Sequence, residues 1–522
     1  MSGRLPVGST RFGQKSNFMD ETEPERLTLW KVLRSYLGRV VIGVILVAMV
    51  YGAMRVMNLV ATAQREHRIA QRIEAIGGSV FIDYRGPEGI PPSIRDRLSF
   101  LHRIIVINIS DFMTNTEAPL DLIATLGSIE CLEVLDCCGT KMGDAELQNV
   151  TRLTRLKRLD LEQTTITDLG LQEFHRLTNL EELGLSDTQI TSDGVSHLKE
   201  LIKLKRLNID RTQVTDGGLE SLQGLSNLEN LFLCDTHVTD VGISYLTHLT
   251  NLKAIFLNGT RVTDAGFAEL QTLVNLEAIS LGNTPITDEG LINIRGLRRL
   301  SGLDLSGTSV TDAGLEHLKE LTSLQWIDLR RLQISDTGLR HLQGLVRLKQ
   351  LRQNQTNVTG FGLEYLNRLT GMELLDLGGT QVDDTGLKYL KEMTNLRSLN
   401  LNSTQVSDAG IQQLGERPNL LALGLSNTHV TNSGMVYLKT MIGLKQLDLS
   451  STEIGDAALE QLKSTYLNKL NLDNTRVTDA GLTFLQEMPV LEKLSLHETQ
   501  TTREGRAVLQ KTFPYCQIEP SP

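Results

Sequence analysis

The sequence predicts an α/β solenoid, in which short parallel strands line a concave face and short helices cover the convex face, preceded by one N-terminal transmembrane helix. Three observations lead to this prediction. A threonine recurs every 24 residues through most of the chain, and residues 40–54 carry no charge. Aromatic residues make up only 4% of the 522 residues, so a core of leucine, isoleucine and valine is expected.

The segment before the apolar run, residues 1–39, is weakly basic and lacks hydrophobic periodicity. It holds seven basic and four acidic residues, whereas the whole chain has a net charge of −10. We therefore predict a flexible basic tail followed by an acidic body. A chain of this overall charge has no electrostatic basis for binding nucleic acid.

Residues 40–61 are predicted to form a transmembrane signal anchor. The uncharged run alone gives a helix of about 22 Å, which is shorter than the ~30 Å hydrocarbon core of a bilayer. The span becomes long enough when Arg55 is included, because its side chain can extend to the membrane interface. A buried core helix and a signal peptide cleaved after the small-x-small motif of residues 61–63 are the alternatives. The long preceding segment and the charge at Arg55 argue against cleavage.

The orientation of the anchor rests on a weaker signal. Basic residues flank the span in nearly equal numbers on its two sides, so the positive-inside rule does not decide the topology. Long domains translocate largely regardless of charge, and the segment resembles a signal anchor with a short internal tail. We therefore predict a single-pass membrane protein whose repeat domain lies on the non-cytoplasmic side.

From residue 132 to residue 505 the chain consists of one repeated unit. Sixteen slots, 24 residues apart except for one lost residue, hold fifteen threonines. We number the repeats 1 to 16 by these slots, which are Thr140, Thr164, Thr188, Thr212, Thr236, Thr260, Thr284, Thr308, Leu332, Thr356, Thr380, Thr404, Thr428, Thr452, Thr475 and Thr499. A fixed period of this length is typical of leucine-rich repeat solenoids, in which neighbouring units bury one another's leucines.

Repeat 2 illustrates the expected structure of one unit. Leu159 and Leu161 alternate with polar residues, which predicts a short strand. Thr167 and Asp168 suit the N-terminus of a short helix, where oxygen atoms and negative charge meet free N–H groups. Glycine at Gly170 recurs in most repeats and predicts either a close backbone approach or a positive φ. The threonine hydroxyls are expected to bond to the backbone of adjacent turns.

Both ends of the array are predicted to carry caps. Residues 62–131 form a juxtamembrane segment and an N-terminal cap, in which Ile104, Ile107 and Ile109 reproduce the leucine spacing of a repeat. Residues 506–522 form a C-terminal cap that ends in a last half-turn of strand. Caps of this kind shield the open ends of a solenoid core.

The repeat consensus L-x-x-L-x-L-x-x-T-x-[IV]-T-D-x-G-L is clearest at residues 262–266 and 310–314. It resembles the TDAGL-type leucine-rich repeats that are abundant in planctomycete bacterial proteins. The apolar N-terminal segment, residues 74–84 and residues 513–518 are similar to the ends of those proteins. The resemblance implies a right-handed horseshoe or arc, and it assigns no activity.

The same repeats are also similar to the cysteine-containing subtype found in F-box substrate receptors of ubiquitin ligases. That resemblance would imply a substrate adaptor. The consensus cysteines are absent here, and a membrane span occupies the place of an F-box domain. Likeness of fold alone carries little functional weight.

The sequence contains no catalytic motif. A P-loop, a dinucleotide fingerprint, HExxH, CxxC and a nucleophile elbow are all missing, so we predict a non-enzyme without cofactors. His197, His317 and His341 share one slot on separate repeats, without companion ligands. Cys137 and Cys138 are adjacent, which does not match the spacing of a zinc site. No metal site is predicted.

Candidate binding residues lie on the predicted concave face, two, four and six places before each threonine. Most of these positions hold small or polar residues. Phe232 and Phe256 occupy the same position in consecutive repeats, so their rings are expected to be exposed neighbours, flanked by Asn230 and Asn258. Exposed aromatic residues often anchor protein interfaces.

A second candidate cluster lies near the middle of the array. Trp326, Arg330, Arg331 and Arg352 depart from the small or polar pattern close to the repeat in which Leu332 replaces the threonine. Tryptophan and arginine are enriched at binding hot spots. Drift in a decaying repeat would explain both clusters without any binding role.

These features together predict a membrane-anchored, non-catalytic leucine-rich repeat protein. Its concave surface would bind a protein or a glycan, and residues 40–61 would bind the membrane. The alternative is a structural spacer of the cell envelope that has no dedicated ligand.

Overall fold

The computed structural model describes residues 23–84, 102–109, 125–488 and 490–521. The chain divides into two compact units. One comprises residues 1–68 and 84–103, and the other comprises residues 69–83 and 104–522. The predicted tail up to residue 22 and parts of the predicted N-terminal cap lie outside the described residues.

One long helix, Glu23–Ala75, contains the predicted membrane span. Among the described helices it is the one long and apolar enough to cross a membrane, with a mean hydropathy of 1.9 within Val44–Ala75. Its apolar side chains from Val44 to Met57 are exposed, as illustrated by Val47 at 70%. At the C-terminal end of the helix, by contrast, Ile69 and Ile73 are buried in the core of the second unit.

The helix begins inside the segment predicted to be a flexible tail, so that prediction is wrong for residues 23–39. The absence of hydrophobic periodicity there does not prevent helix formation. Leucine, arginine and lysine have high helix propensities, and Pro24 lies in the first turn, where its missing N–H breaks no helical hydrogen bond.

Within the described residues, nineteen strands form a single sheet. Their bounds are Ser79–Tyr84, His102–Asn108, Val134–Asp136, Arg158–Asp160, Glu182–Gly184, Arg206–Asn208, Asn230–Phe232, Ala254–Phe256, Ala278–Ser280, Gly302–Asp304, Trp326–Asp328, Gln350–Arg352, Leu374–Asp376, Ser398–Asn400, Ala422–Gly424, Gln446–Asp448, Lys469–Asn471, Lys493–Ser495 and Gln517–Glu519. Successive repeats pair in parallel, as in the register of Leu303 with Ile279 and Ile327. The predicted solenoid is therefore confirmed.

Short helices connect the strands and complete the predicted α/β unit. The α-helices are Asp144–Val150, Asp168–Leu171, Ser192–Ser196, Asp216–Glu220, Asp240–Ser244, Asp264–Glu269, Asp288–Leu291, Asp312–Leu315, Asp336–Leu339, Asp384–Leu387, Asp408–Leu414, Met435–Leu438, Asp456–Leu462, Asp479–Leu485 and Arg503–Thr512. The 3-10 helices are Phe174–Arg176, Leu270–Thr272, Ile292–Gly296, Glu316–Leu318, Arg340–Leu342, Gly360–Leu366, Lys388–Leu390 and Asn432–Gly434. Thr167 caps its helix as expected, because its hydroxyl accepts a hydrogen bond from the Leu169 N–H.

The buried threonines bond within their own repeat, and not to adjacent turns as the sequence suggested. The Thr164 hydroxyl donates to the carbonyl oxygen of Leu161 at 2.6 Å. The same bond, three residues back, occurs at Thr140 and at Thr475. Because the threonine lies only three residues after the carbonyl that accepts its bond, its hydroxyl closes the turn at the end of the strand.

Contacts between repeats come instead from the aspartate at the start of most of these helices. In repeat 1, Asp144 accepts from the Thr167 N–H at 2.8 Å and from the Thr167 hydroxyl at 2.7 Å. Equivalent pairs join Asp216 to Thr239 and Asp264 to Thr287. The carboxylate also lies where a Cβ on the glycine of the next repeat would be, which explains the recurring glycine by close approach.

Repeats 9 and 10 depart from these rules at three positions. Leu332 replaces the threonine, Gln353 occupies a core position, and Gly360 replaces the aspartate that joins repeats. The Gln353 side chain is fully buried, and neither its amide nitrogen nor its oxygen has a hydrogen-bond partner. At Gly360 the chain instead approaches Gly386 so closely that a Cβ on either glycine would crowd the other backbone.

Both ends of the array are closed by strands. Ile104, Ile107 and Ile109 are buried, and Ile107 pairs in register with Leu135 of repeat 1. At the other end, Gln517–Glu519 pairs with Lys493–Ser495 of repeat 16. The described residues therefore show the strand of each predicted cap.

Candidate functional site

The side chains six, four and two places before each threonine lie on the side of the sheet opposite the buried leucines. We call this surface the strand face. Most of its residues are small or polar, as predicted. The members four places before the threonine include Asp160, Gly184, Asn208, Ser280, Asp304, Asp376, Asn400, Gly424, Asp448 and Asn471.

Phe232 and Phe256 form a stacked pair on the strand face. Their ring centroids are 4.4 Å apart and the ring planes differ by 3°. The guanidinium carbon of Arg206 lies 4.3 Å from the Phe232 ring centroid. Phe232 therefore contacts both an aromatic ring and a cation, and such contacts stabilise an exposed aromatic residue.

The prediction that the two rings are neighbours is confirmed, whereas full exposure is not. Both phenylalanines are half-buried, because each ring covers part of the other. Arg206 was missed by the sequence analysis. It lies one repeat before Phe232, at the position that pairs in register with Asn230, and that register could have identified it.

The two flanking asparagines differ in their contacts. Asn258 is held by the array, since its side chain donates to Asp304 at 3.1 Å and accepts from the Gly282 N–H at 2.8 Å. Asn230 begins the strand that contains Phe232 and is half-buried. Asn258 is therefore fixed in place, which leaves its amide little freedom to reorient toward a ligand.

The surface beyond Phe256 offers room for a partner side chain. The next repeat has only Ala278, Ser280 and Gly282 on the strand face. Ser280 is itself buried and donates its hydroxyl to Asp304 at 2.8 Å. One side of the Phe256 ring thus borders a row of small residues, and a flat apolar group could continue the stack there.

Trp326 does not project freely from the strand face. Its indole lies against Gly302 of the preceding repeat, where any Cβ would overlap the ring. The two residues pair in register on neighbouring strands. Glycine at this position therefore lets the indole lie flat along the sheet, and Trp326 is half-buried.

Arg330 pairs with a buried carboxylate. Its guanidinium Nε lies 2.8 Å from both carboxylate oxygens of Asp328, whose side chain is only 5% exposed. This hydrogen bond raises the pKa of Arg330. Arg352 lies between Asp328 and Asp376 in the register of the sheet. The two arginines therefore balance the charge of an acidic row.

Arg331 occupies a different surface from the other members of its predicted cluster. It precedes the threonine slot directly and has a φ of 59°, a left-handed conformation that twelve such non-glycine positions share among the described residues. Its guanidinium donates to the Asn283 side chain at 3.3 Å. The structure thus places Arg331 on the turn that ends the strand, beside the strand face.

One region of the strand face was not predicted from the sequence. A hollow of about 510 Å³ lies over repeats 12 to 16. It forms because repeat 13 has only Ala422, Gly424 and Ser426 on the strand face, between neighbours with longer side chains. Three small residues in one repeat do not by themselves identify it, because repeat 7 has a similar set at Ala278, Ser280 and Gly282.

Cys138, Asp160 and Glu162 bring three potential metal ligands within 4.8 Å of one another. The sequence predicts no metal site, and these residues come together only through the stacking of repeats 1 and 2. Glu162 accepts from the Asn208 amide at 2.7 Å, and Asp160 accepts from the Glu162 N–H at 3.2 Å. We therefore assign the group to hydrogen bonding within the array and propose no metal for it.

Burial raises the pKa of Asp160, and the charge of nearby Asp136 raises it further. Burial, with the charge of Asp160, also raises the pKa of Glu162. A carboxyl group whose pKa is higher in the folded chain favours folding at low pH. That contribution is lost as the pH rises from the ordinary aspartate pKa of 3.8 through the raised pKa of Asp160.

We therefore expect Asp160→Asn to raise the melting temperature at pH 7 and to leave it nearly unchanged near pH 4. Asparagine is compatible with this position, since Asn208 and Asn400 accept the same backbone hydrogen bond in other repeats. Thermal melts across this pH range measure the effect. The exposed Asp193 provides a control, and a lower melting temperature of Asp160→Asn at pH 7 would contradict the assignment.

Sequence comparisons support the repeat assignment. A family model described as "Leucine-rich repeat region" matches residues 113–301, and one described as "Leucine Rich repeat" matches residues 392–415 and 444–462. No curated protein matches the chain.

Three solved structures match the chain at low identity. A leucine-rich repeat protein of Leptospira interrogans is 20% identical, with a TM-score of 0.50, and the match covers 72% of this chain and 97% of that one. An internalin of Listeria monocytogenes is 22% identical, with a TM-score of 0.48, over 59% of this chain and 89% of that one. An Arabidopsis receptor-kinase ectodomain in complex with a peptide hormone is 15% identical, with a TM-score of 0.46. That match covers 80% of this chain and 79% of that one. The Leptospira match shows that this chain has a leucine-rich repeat fold.

Proposed function

We propose that the chain is a non-catalytic, membrane-anchored scaffold whose concave strand face binds a protein partner through Phe232 and Phe256. Leucine-rich repeat proteins are commonly non-catalytic and commonly bind proteins. The observation that carries the proposal is the stacked, half-exposed pair at a ring distance of 4.4 Å. Aromatic residues with accessible faces supply much of the binding energy at protein interfaces.

The surroundings of the pair favour a protein as the partner. Arg206 covers one side of the stack, while small residues extend from the other side at Ala278 and Ser280. An aromatic or aliphatic side chain of a partner could stack on Phe256 and cover these small residues. The half-buried Arg352, farther along the same face, would contact the acidic rim of such a partner.

Site-specific photo-crosslinking in cells tests this proposal. A photoreactive phenylalanine at Ala278 should form a discrete adduct with the partner, and Phe232→Ala with Phe256→Ala should abolish it. The control places the same group at Phe361, an apolar residue that is 71% exposed and lies on a helical segment. Equal adducts from both positions, or an adduct that survives the double alanine change, would contradict the proposal and favour the spacer alternative.

Membrane anchoring through residues 40–61, with the repeats on the non-cytoplasmic side, is part of the same proposal. It is supported by the length and apolar composition of the helix. The chain should therefore remain in the membrane fraction after carbonate extraction. Protease added to intact cells should digest the repeats. A mature N-terminus at Gln64 would instead show a cleaved signal peptide.

A further inference from the structure

A patch of large apolar side chains is exposed along one edge of the array, near its C-terminal end. Its residues lie in the turns that lead into the strands of repeats 13 to 16 and of the C-terminal cap. We call it the edge patch, and its members are Leu421, Ile442, Tyr466, Val490 and Tyr515. Their exposed fractions run from 41% at Leu421 and Val490 to 98% at Tyr515. The edge patch lies beside the strand face and is separate from the aromatic pair.

The same edge has a different composition elsewhere in the array. In repeats 2 to 12, the position ten places before each threonine slot holds threonine, serine or arginine, apart from three isolated apolar residues. These are Ile202, Val274 and Val346, which lie three repeats apart. In the edge patch, by contrast, every consecutive turn exposes a large apolar side chain. Contiguous apolar surface of this kind is typical of a protein interface.

Charged side chains follow the same edge, seven places before each threonine slot. Lysine and glutamate often alternate there, and those of neighbouring repeats form ion pairs with the nitrogen and oxygen 2.6 to 3.6 Å apart. Four such pairs are Lys157–Glu133, Lys205–Glu181, Lys253–Glu229 and Lys349–Glu373. In these repeats the charges of the edge therefore balance within the chain.

Two charges at the edge patch are not balanced in this way. Lys445 and Glu492 hold this position in repeats 14 and 16, and Asn468 separates them in repeat 15. Both charged side chains are exposed, and neither forms an ion pair within the part of the chain that the structure describes. Lys445 instead lies over the Tyr466 ring, with its Nζ 5.7 Å from the ring centroid. A cation and an anion thus flank repeat 15 at equal distances along the array.

We infer that the edge patch binds a second copy of this chain, with a twofold axis at Tyr466. Such an axis places repeat 14 of each copy against repeat 16 of the other. Lys445 of one copy then faces Glu492 of the second copy, and the reverse, so two ion pairs form across the interface. Ile442 faces Val490 in the same manner, and Tyr466 packs against its own equivalent.

The two ends of the edge patch also match each other. The axis places Leu421 of repeat 13 opposite the C-terminal cap of the second copy. At that cap, Val490 and Tyr515 line a hollow of about 390 Å³. A leucine inserted there would bury its own apolar surface and cover part of Tyr515. The patch therefore supplies complements for its own residues, as a twofold dimer requires.

Sedimentation equilibrium of the full chain in detergent micelles tests this inference. We expect a dimer, and Lys445→Glu should weaken it at least about tenfold, because the symmetry makes both attractive contacts repulsive. Glu492→Lys should weaken it equally. A mixture of the two variants should dimerise like the original chain, since each variant supplies the charge that the other lacks. The matched control, Arg397→Glu, changes the same position in repeat 12, outside the patch, and should remain a dimer.

A second set of variants removes apolar contacts. Ile442→Ser with Tyr466→Ser should leave the chain monomeric, because most of the apolar surface at the centre of the interface is lost. The control, Ile202→Ser with Val274→Ser, removes exposed apolar residues from the same edge in repeats 4 and 7 and should leave the dimer intact.

Three results would each overturn the inference. These are a monomeric original chain, a dimer that persists in Lys445→Glu, and a mixture of the two charge variants that stays monomeric. Persistence in Lys445→Glu would show that another surface, such as the long apolar helix, holds the copies together. The double alanine variant at Phe232 and Phe256 should remain a dimer, so this interface and the proposed protein site fail separately.

Discussion

Replacing Leu303 with aspartate should destabilise the array by about 3–5 kcal/mol and divide its thermal unfolding into two transitions. Leu303 is fully buried and lies between Ile279 and Ile327 on the neighbouring strands. A carboxylate there has no partner and no water, so either an unpaired charge is buried or the repeat opens. Because each repeat is stabilised by its neighbours, opening repeat 8 separates the repeats on its two sides.

Differential scanning calorimetry of the full chain measures this effect. Leu374→Asp provides the matched control, since Leu374 is the same residue type on the strand face and is only half-buried. Its cost should be much smaller and its unfolding should remain a single transition. An unchanged melting curve for Leu303→Asp would contradict the register of the repeats.

Replacing Gln353 with leucine should stabilise the chain by about 2–4 kcal/mol. Gln353 is fully buried, and its amide nitrogen and oxygen both lack hydrogen-bond partners. Leucine fills this position in most other repeats, as Leu329 and Leu377 do on either side. The change removes an unsatisfied polar group from the core and adds apolar burial.

Chemical denaturation compares this variant with Gln350→Leu, which makes the same replacement on an exposed side chain of the same strand. The Gln350 variant should have unchanged stability. If Gln353→Leu is no more stable than the original chain, then the buried amide is satisfied in solution and repeats 9 and 10 are not a weak point.

The repeating elements of this fold were predictable from the sequence because each recurs in most of the sixteen repeats. The alternation at Leu159 and Leu161 gave the strand, and the glycine at Gly170 indicated a close approach. The atom that makes this approach was not predictable. It belongs to Asp144, one repeat earlier, and the offset between repeats appears only once they are stacked.

The candidate sites likewise combine features that the sequence predicts with features that it does not. The neighbouring rings of Phe232 and Phe256 followed from their shared position in consecutive repeats. The partner of Arg330 did not, because Asp328 belongs to a row of acids in which several pairings are compatible with the spacing. The hollow over Gly424 depends on the combined size of side chains from five repeats, and periodicity carries no information about that sum.

The affinity of the crosslinked partner for the double variant Phe232→Ala with Phe256→Ala is the most direct test of the binding claim. We expect this variant to lose about 2–4 kcal/mol of binding free energy and to melt at nearly the original temperature. The control removes two exposed apolar residues from helical segments, Phe361→Ala with Val241→Ala, and should bind normally. Unchanged affinity of the Phe232 and Phe256 variant, or early melting of that variant, would show that the stacked pair is part of the scaffold and not a binding site.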